Sequence, residues 1–511
     1  MGAGPVAAAP APSGSWKLAP AVAARTQGLV VSGFGHLPCA EALFLCLPPT
    51  CGGAWLDRLR VAIPITDSQG KAEPCAAIAF TWTGLRAMGL DDDALASFST
   101  PFQEGMHQID RQRRLSDRPH LGAVIDGGPA WGGNTPDPVA QASGEAVITT
   151  PATAHAVLLL YGACDDDLDA DIARAAAVLT AAGVDVCRRL RLSLRPDAMG
   201  RGREHFGFAD GMSQPVPWGD VVATPAGAPA RDRWHAAPIG DILMGYPNAH
   251  GEPAPGPVVK AAGAPGDAGT LPPGGAPPGF RDLGLNGSYL VMRELRQDVP
   301  AFWTSMDQAS ARLGAPSVDA KWLAARVVGR TLDGDPLIPG GVLAPVGADP
   351  ANAFGFIGSD PHGMGCPLGS HIRRSNPRDG LAPTPALGED LLTAANNHRI
   401  LRRGRKFGPD IADPRTPDGQ DRGLLFMCLN TDLVRQFEFV QQNWLLNEGF
   451  ATLLDEIDPL LGKAGPFTIP TDPLRRKARL ETFVRFAGGE YFFLPGLQAL
   501  DYLATLPGAA R

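Results

Sequence analysis

Positive charge is the first thing this sequence is short of: 45 Lys and Arg stand against 53 Asp and Glu, for a formal charge of -8 and a pI near 5.7. An acidic chain lacks the field that nucleic acid and anionic membrane surfaces require, so neither is expected as a partner and any basic patch is local. Long apolar runs are missing too; none approaches the roughly 20 residues needed to span a bilayer. The first 24 residues are rich in Ala, Pro and Gly with Lys17 as their one charge, and they carry no basic leader region or twin arginine. They are expected to be a disordered tail. Met1-Gly2 is followed by Val6, where a myristoylation signal needs Ser or Thr. The eight cysteines form no Cys-x-x-Cys and no pairing rhythm. That fits free thiols in a reducing cytoplasm better than a disulfide framework. Walker A, Gly-x-Ser-x-Gly and His-Glu-x-x-His are all absent, and Gly33-Phe34-Gly35 runs into His36-Leu37-Pro38 instead of a dinucleotide fingerprint. The ten histidines include no pair at i,i+2 or i,i+4, which argues against a local multi-histidine zinc or copper site.

What is there is a chain of 511 residues, long enough for two or more domains. Its 62 glycines and 50 prolines stop short of the roughly 25% at which disorder is expected, and predict long ordered loops. Short apolar runs at Leu29–Val31, Ala42–Leu47 and Cys75–Trp82 read as strands, with a helix near Ala54–Leu59. A second unit follows: strand His155–Tyr161, a helix with Leu168, Ile172, Ala176 and Leu179 on one face, and strand Val184–Leu194. Residues 222–284 are dense in Ala, Pro and Gly and mark the best boundary. Beyond it come strand Gly287–Glu294, helix Asp298–Leu313, strand Leu424–Leu429, helix Leu433–Leu446 and strand Glu490–Leu494. The expected division is a tail 1–24, an N-terminal domain 25–235, a Pro/Gly-rich connection 236–286 and a C-terminal domain 287–511.

Three segments could carry chemistry. In Cys366-Pro-Leu-Gly-Ser-His371-Ile-Arg-Arg-Ser-Asn-Pro-Arg378 a lone histidine is followed by arginines suited to bidentate pairing with carboxylates. One histidine can hold iron when a macrocycle supplies the in-plane ligands, although most histidines are surface or hydrogen-bonded core residues. Cys366 is a rival ligand, and a thiolate there would imply oxygenase-like chemistry. The second segment is Phe206-Gly-Phe-Ala-Asp210-Gly211-Met-Ser-Gln-Pro215, an acid among aromatics and glycines; it reads either as a capped turn or as a buried catalytic carboxylate. The third, His398-Arg-Ile-Leu-Arg402-Arg403-Gly-Arg405-Lys406, is a basic burst in an acidic protein. The apolar run Gly423-Leu424-Leu425-Phe426-Met427-Cys428 after it could be a core strand or the cover of a macrocycle face.

Together and in this order, these segments resemble the dye-decolourising peroxidase family, its longer C- and D-type members in particular. The likeness rests on Gly207-Phe-Ala-Asp210-Gly211, His371-Ile-Arg, Ile400-Leu-Arg402, Gly423-Leu-Leu-Phe426, Arg435-Gln-Phe-Glu438-Phe and Gly488-Gly-Glu-Tyr-Phe-Phe-Leu494, and extends over roughly residues 26–506. It implies an α+β fold of two ferredoxin-like lobes, with antiparallel sheets flanked by helices and haem held mainly by the C-terminal lobe. It also implies a haem peroxidase that uses hydrogen peroxide and oxidises dyes or phenolic donors. Carried over to this chain, it makes His371 the iron ligand, Asp210 and Arg402 the distal catalytic pair, and Leu424 and Phe426 the distal lining. It makes Arg378 a propionate partner and Asp458 the acid behind the proximal imidazole. Without Cys-x-x-Cys-His the expected cofactor is non-covalent haem b, one per chain. Arg403 beside Arg402 leaves open which guanidinium faces the iron. A haem carrier, or a protein releasing iron from haem, is the alternative, because fold does not fix activity.

Overall fold

Nearly unbroken apolar runs, Cys75–Phe80 and Cys39–Cys46 with Glu41 as its one charge, form strands buried on both faces, the pattern of staves with core on either side. The computed structural model describes residues 16–70, 75–133, 152–194, 196–197, 200–223, 234–314, 317–338, 352, 354–472 and 475–508. Its main sheet has nine strands: β1 (Cys39–Cys46), β2 (Cys75–Phe80), β3 (Ala156–Gly162), β4 (Asp185–Ser193), β5 (Ser288–Gln297), β6 (Leu401–Arg402), β7 (Arg405–Phe407), β8 (Gly423–Asn430) and β9 (Val484–Leu494). In space the order is β5-β9-β2-β3-β1-β4-β7-β8, and β8 pairs back onto β5, so the sheet closes into a barrel; β6 lies along β8 beside β7. Every pairing in the ring is antiparallel.

The ring joins two α+β lobes of ferredoxin-like type. One contributes β1 to β4 with α1 (Ala54–Ala62) and α2 (Asp165–Ala181); the other contributes β5 to β9 with α3 (Val299–Leu313) and α4 (Ala320–Val328). They meet where β9 touches β2 at Phe493 and Phe80, and where β7 pairs with β4 through Lys406 and Ser193. Alternation along each strand then divides the core. Leu290 and Met292 of β5 and Leu425, Met427 and Leu429 of β8 fill the barrel interior. Tyr289, Val291 and Leu295 point outward to the core beneath the helices, so the outer face of β5 and β8 is available to build a site.

Local chemistry sets the helices. α2 begins with Asp165, Asp166 and Asp167 in its first turn, where carboxylates favour the positive end of the helix dipole. It buries Leu168, Ile172, Ala175 and Leu179, so Ala175 takes the place expected for Ala176. In α3, Asp298 caps the first turn by accepting from Ala301 N, and Gly314 ends the helix at φ 66°. Phe302 on α3 stacks on Phe206 with ring centroids 4.4 Å apart, which fixes the loop that carries Asp210.

Three expectations change. Leu29–Val31 is a turn instead of a strand, because the carbonyls of Leu29 and Val30 are taken by the guanidinium of Arg403 and not by a strand partner. Residues 16–24, assigned to a disordered tail, are ordered: Trp16, Leu18 and Ala23 are buried, and Lys17–Leu18 pairs with Val222–Ala223. Residues 1–15 lie outside the described residues. The helix over Leu433–Leu446 exists but is wound as π-helix at Val434–Glu438 and Val440–Leu445, a form frequent at functional sites. Among the described residues, no helix is long and apolar enough to cross a membrane.

Candidate active site

The outer face of β5 and β8 is one wall of a cavity enclosing about 1920 Å³ of empty space, part of it open to solvent. Leu295, Leu424 and Phe426 come from that sheet face, Phe437, Val440 and Trp444 from the π-helical segment, and His371 from the far side. Mostly apolar walls with a few convergent polar groups are what small-molecule and cofactor sites share.

His371 opens the short helix α5 (His371–Ser375), whose preceding residue, Ser370, donates through Oγ to Arg326 O at 2.5 Å. Its Nδ1 lies 2.9 Å from Asp458 Oδ2. Asp458 is fully buried and its other oxygen accepts from Leu460 N at 3.0 Å and Leu461 N at 2.8 Å. Burial opposes the charge of Asp458. The His371 imidazole, the Leu461 N–H and the nearby Arg374 guanidinium outweigh it and hold the carboxyl below its usual range. This bond assigns the imidazole proton to Nδ1 and leaves Nε2 with its lone pair on the cavity side. Arg374 secures the surroundings by donating to the carbonyls of Trp444 at 2.8 Å and Glu456 at 2.7 Å.

Elsewhere on the wall, Asp210 and Arg402 face one another. Arg402 Nη1 is 3.8 Å from Asp210 Oδ1, and the two side chains are 35% and 36% exposed, so both are reachable from the cavity. Asp210 Oδ1 also accepts from Gly211 N at 2.6 Å; among the described residues Oδ2 has no hydrogen bond. Arg402 is steadied by a bond from Nη2 to Met212 O and by Gln214, whose Oε1 accepts from Arg402 N at 3.0 Å. Arg403 points the other way. Its guanidinium donates to Leu29 O at 2.8 Å and Val30 O at 2.6 Å, and burial pulls its pKa down to about 10. Arg402 lines the cavity and Arg403 does not, so Arg402 is the cavity arginine.

The structure thus brings His371, Asp210, Arg402, Leu424 and Phe426 to one cavity, with Asp458 directly behind His371. Arg378 stands apart and is not on the cavity wall. It is fully buried, its guanidinium donates to Phe354 O and to Asn352 Oδ1 at 2.8 Å, and its charge lies 4.0 Å from the centre of the Phe354 ring. Engaged with its own chain in this way, it is not placed to meet a propionate. The cavity arginines besides Arg402 are Arg293, Arg330 and Arg399. Cys366 is also off the wall: it is buried, its Sγ lies 4.0 Å from Gly329 O, and burial pushes its thiol up to about 11. A thiolate ligand has no support there.

Two wall residues escaped the sequence reading. Glu204 accepts from Phe206 N and Phe208 N, both at 2.8 Å, and from Gln297 Nε2 at 2.7 Å. The available signal was an acid six positions before Asp210 in the same aromatic-rich loop. Nothing local marks Gln297 at the end of β5.

No protein-family model matches the sequence. A dye-decolorizing peroxidase of Mycena epipterygia is 28% identical over 475 residues, covering 84% of this chain and 76% of the relative. The multifunctional dye peroxidase DyP2 of an Amycolatopsis strain is 32% identical over 335 residues, 60% of this chain and 62% of that protein. The chain is similar to dye-decolourising peroxidases over most of its length. A solved dye-decolorizing peroxidase in complex with 2,6-dimethoxyphenol shares the family fold, with a TM-score of 0.67 at 24% identity over 94% of this chain and 99% of that one.

The donor set is a test of the family's cofactor. Among the described residues no group of three or more His, Cys, Asp or Glu could hold a bare metal ion. A single imidazole anchored by a buried carboxylate, on an apolar cavity, suits a metal whose other ligands come from a macrocycle. The residues fit haem.

Proposed function

We propose that this protein is a peroxidase that binds one haem b per chain without a covalent link, reduces hydrogen peroxide, and takes electrons singly from phenolic, dye or other bulky aromatic donors. The observation that carries this reading is the pairing of His371 with buried Asp458 and of Asp210 with Arg402 around one apolar cavity. In the same reading, residues 25–235 and 287–511 are the two lobes, and the second holds the haem. Bound haem supplies the redox chemistry.

Each residue then has a task. His371 holds the iron through Nε2, and Asp458 keeps the proton on Nδ1 and makes the ring a stronger donor. Leu424 and Phe426 keep water from the space where peroxide sits. Asp210 accepts on Oδ2 the proton that peroxide loses from one oxygen and returns it to the other, which leaves as water. Arg402 opposes the negative charge that develops on that departing oxygen, from a position that its bonds to Met212 O and Gln214 hold in advance. In the same reading the eight cysteines are free thiols in a reducing cytoplasm.

Asp458→Asn removes the charge behind the imidazole and should lower haem affinity or the rate of reaction with peroxide by roughly 10–100-fold. Haem titration and stopped-flow mixing measure both quantities, and wild-type values in each would show that Asp458 has no such part. The proposal as a whole is tested by loading the protein with haem and following peroxide-dependent oxidation of 2,6-dimethoxyphenol. A 1:1 endpoint, haem extractable by acidified ketone, and turnover that needs both peroxide and haem are expected. Stable haem binding without turnover would refute the peroxidase reading.

A further inference from the structure

Arg374 is a buried cation on the His371 side of the cavity, and the chemistry above leaves its charge unused. It follows His371 by three positions in α5, and residues at i and i+3 of a helix are neighbours on one face. Its side chain is wholly buried. Nη1 donates to the carbonyls of Trp444 at 2.8 Å, Asn447 at 3.0 Å and Leu445 at 3.3 Å, and Nη2 to that of Glu456 at 2.7 Å. Asp458 N donates to the same Leu445 O at 2.7 Å. The guanidinium therefore stands one carbonyl away from the residue that holds His371. The adjacent Arg373 makes a contrast: its Nη1 lies 3.3 Å from Asp360 Oδ2, so a carboxylate meets its charge directly. Among the described residues Arg374 has no such ion pair, and its Nε is buried with no hydrogen-bond partner. Carbonyls satisfy N–H groups without cancelling the charge, and in a dry interior an uncancelled charge reaches beyond its contacts. What faces it are the buried carboxylates Asp458 and Glu456, whose charges oppose the cost of burying it.

We propose that Arg374 is a positioning residue that acts on bound haem through Asp458 and His371: its positive charge draws on the Asp458 carboxylate, limits the pull of that carboxylate on the imidazole proton, and so raises the reduction potential of the haem. The inference rests on the haem reading above and not on the reaction with peroxide. The couple concerned is one electron taken up by ferric haem to give ferrous haem. No bond is made or broken and no proton moves at Arg374.

Two effects have the same sign. A carboxylate that pulls on the Nδ1 proton gives the imidazole anionic character, and an anionic ligand favours ferric over ferrous iron. A cation behind the carboxylate weakens that pull. Ferric haem also carries one more positive charge than ferrous haem, so a fixed cation close by disfavours it directly. Both raise the potential. A purely structural Arg374 would tie the carbonyls of Trp444, Leu445, Asn447 and Glu456 together and leave the couple unchanged. The side chain of Glu456 gives separate access to the same field. Its Oε2 accepts from Thr468 N at 2.9 Å and its Oε1 from Thr468 Oγ1, and the bond from Arg374 goes to its backbone carbonyl. Glutamine in its place removes the charge and keeps both contacts, because the Thr468 hydroxyl can accept as well as donate.

The test is the ferric–ferrous midpoint of the haem-loaded protein, measured by anaerobic reduction against a reference dye, for wild type, Arg374→Gln, Arg374→Lys and Glu456→Gln. At a fixed potential Arg374→Gln should shift the ratio of ferrous to ferric haem about tenfold toward ferric, the order expected of one buried charge, or about 59 mV for one electron. Arg374→Lys keeps the charge without the fork of donors and should stay close to wild type. Glu456→Gln should shift the ratio toward ferrous. Resonance Raman of ferrous haem gives a second readout: the iron–imidazole stretch should rise in Arg374→Gln, where the ring is more anionic, and not in Arg374→Lys. In an Asp458→Asn background Arg374→Gln should move the ratio less than it does in the wild type. A wild-type midpoint in Arg374→Gln, a lysine variant that behaves like the glutamine variant, or an equal shift with and without Asp458 overturns the inference. If Arg374→Gln holds no haem, Glu456→Gln decides, and a midpoint there that stays put or moves toward ferric overturns it. A wild type that takes up no haem sinks the haem reading itself, and the inference falls with it.

Discussion

Asp210→Asn should lower the second-order rate of the haem-loaded protein with hydrogen peroxide by about 10²- to 10⁴-fold, the usual worth of a positioned acid–base group. The substitution is close to isosteric. Asn keeps an Oδ1 for the bond from Gly211 N, and the hairpin from Gly202 to Asp210 is held by backbone bonds that it does not touch. What disappears is the Oδ2 that can hold a proton and return it. Haem affinity and the Michaelis constant for the phenolic donor should change little, since neither depends on that oxygen. A wild-type peroxide rate in this variant would remove Asp210 from the chemistry and leave it as a loop residue.

Arg402→Leu should cost about 10²- to 10³-fold in the same rate, the loss measured when a preorganised donor to a developing oxyanion is removed. The guanidinium is held in advance by Met212 O and by Gln214 around its backbone, so little reorganisation is needed when charge appears. Arg402→Lys keeps a charge without the fork and should fall between the two. The Asp210→Asn/Arg402→Leu double variant should lose less than the product of the single losses. The two side chains sit 3.8 Å apart and serve one proton-coupled cleavage, and residues that act as a unit are not additive. Full additivity would mean that they act independently.

The legible parts of this site were those written in short stretches of sequence. Asp210, His371, Arg402, Leu424 and Phe426 each sit in a compact motif, and a local motif keeps its shape when the chain folds. Asp458 lies 87 positions from His371, and only family likeness placed it there in advance. Arg402 and Arg403 could not be told apart because the choice depends on the path of the chain at the end of β6: Arg402 faces the cavity, and Arg403, just beyond the strand, the carbonyls of Leu29 and Val30. Arg378 misled for a related reason. Cations after a histidine look free in a sequence, but the Phe354 segment folds over this one and takes its hydrogen bonds. Glu204 and Gln297 meet across 93 positions, a contact that no local pattern encodes.

The fold divides the same way. Most strands and the long helices follow from apolar periodicity to within a few residues. Closure of the barrel does not, because it depends on pairings such as β5 with β8 and β4 with β7 that join distant stretches of chain. The π-helical winding of Val434–Leu445 was also hidden, since an apolar stripe of this length does not distinguish the two kinds of turn.

The absorption spectrum of wild type and His371→Ala, each recorded with haem before and after one equivalent of hydrogen peroxide, tests the central claim most directly. The account predicts a sharp ferric Soret band in the wild type that changes within seconds of adding peroxide, and no stable haem in His371→Ala. An intact Soret band in His371→Ala with the same response to peroxide would contradict it.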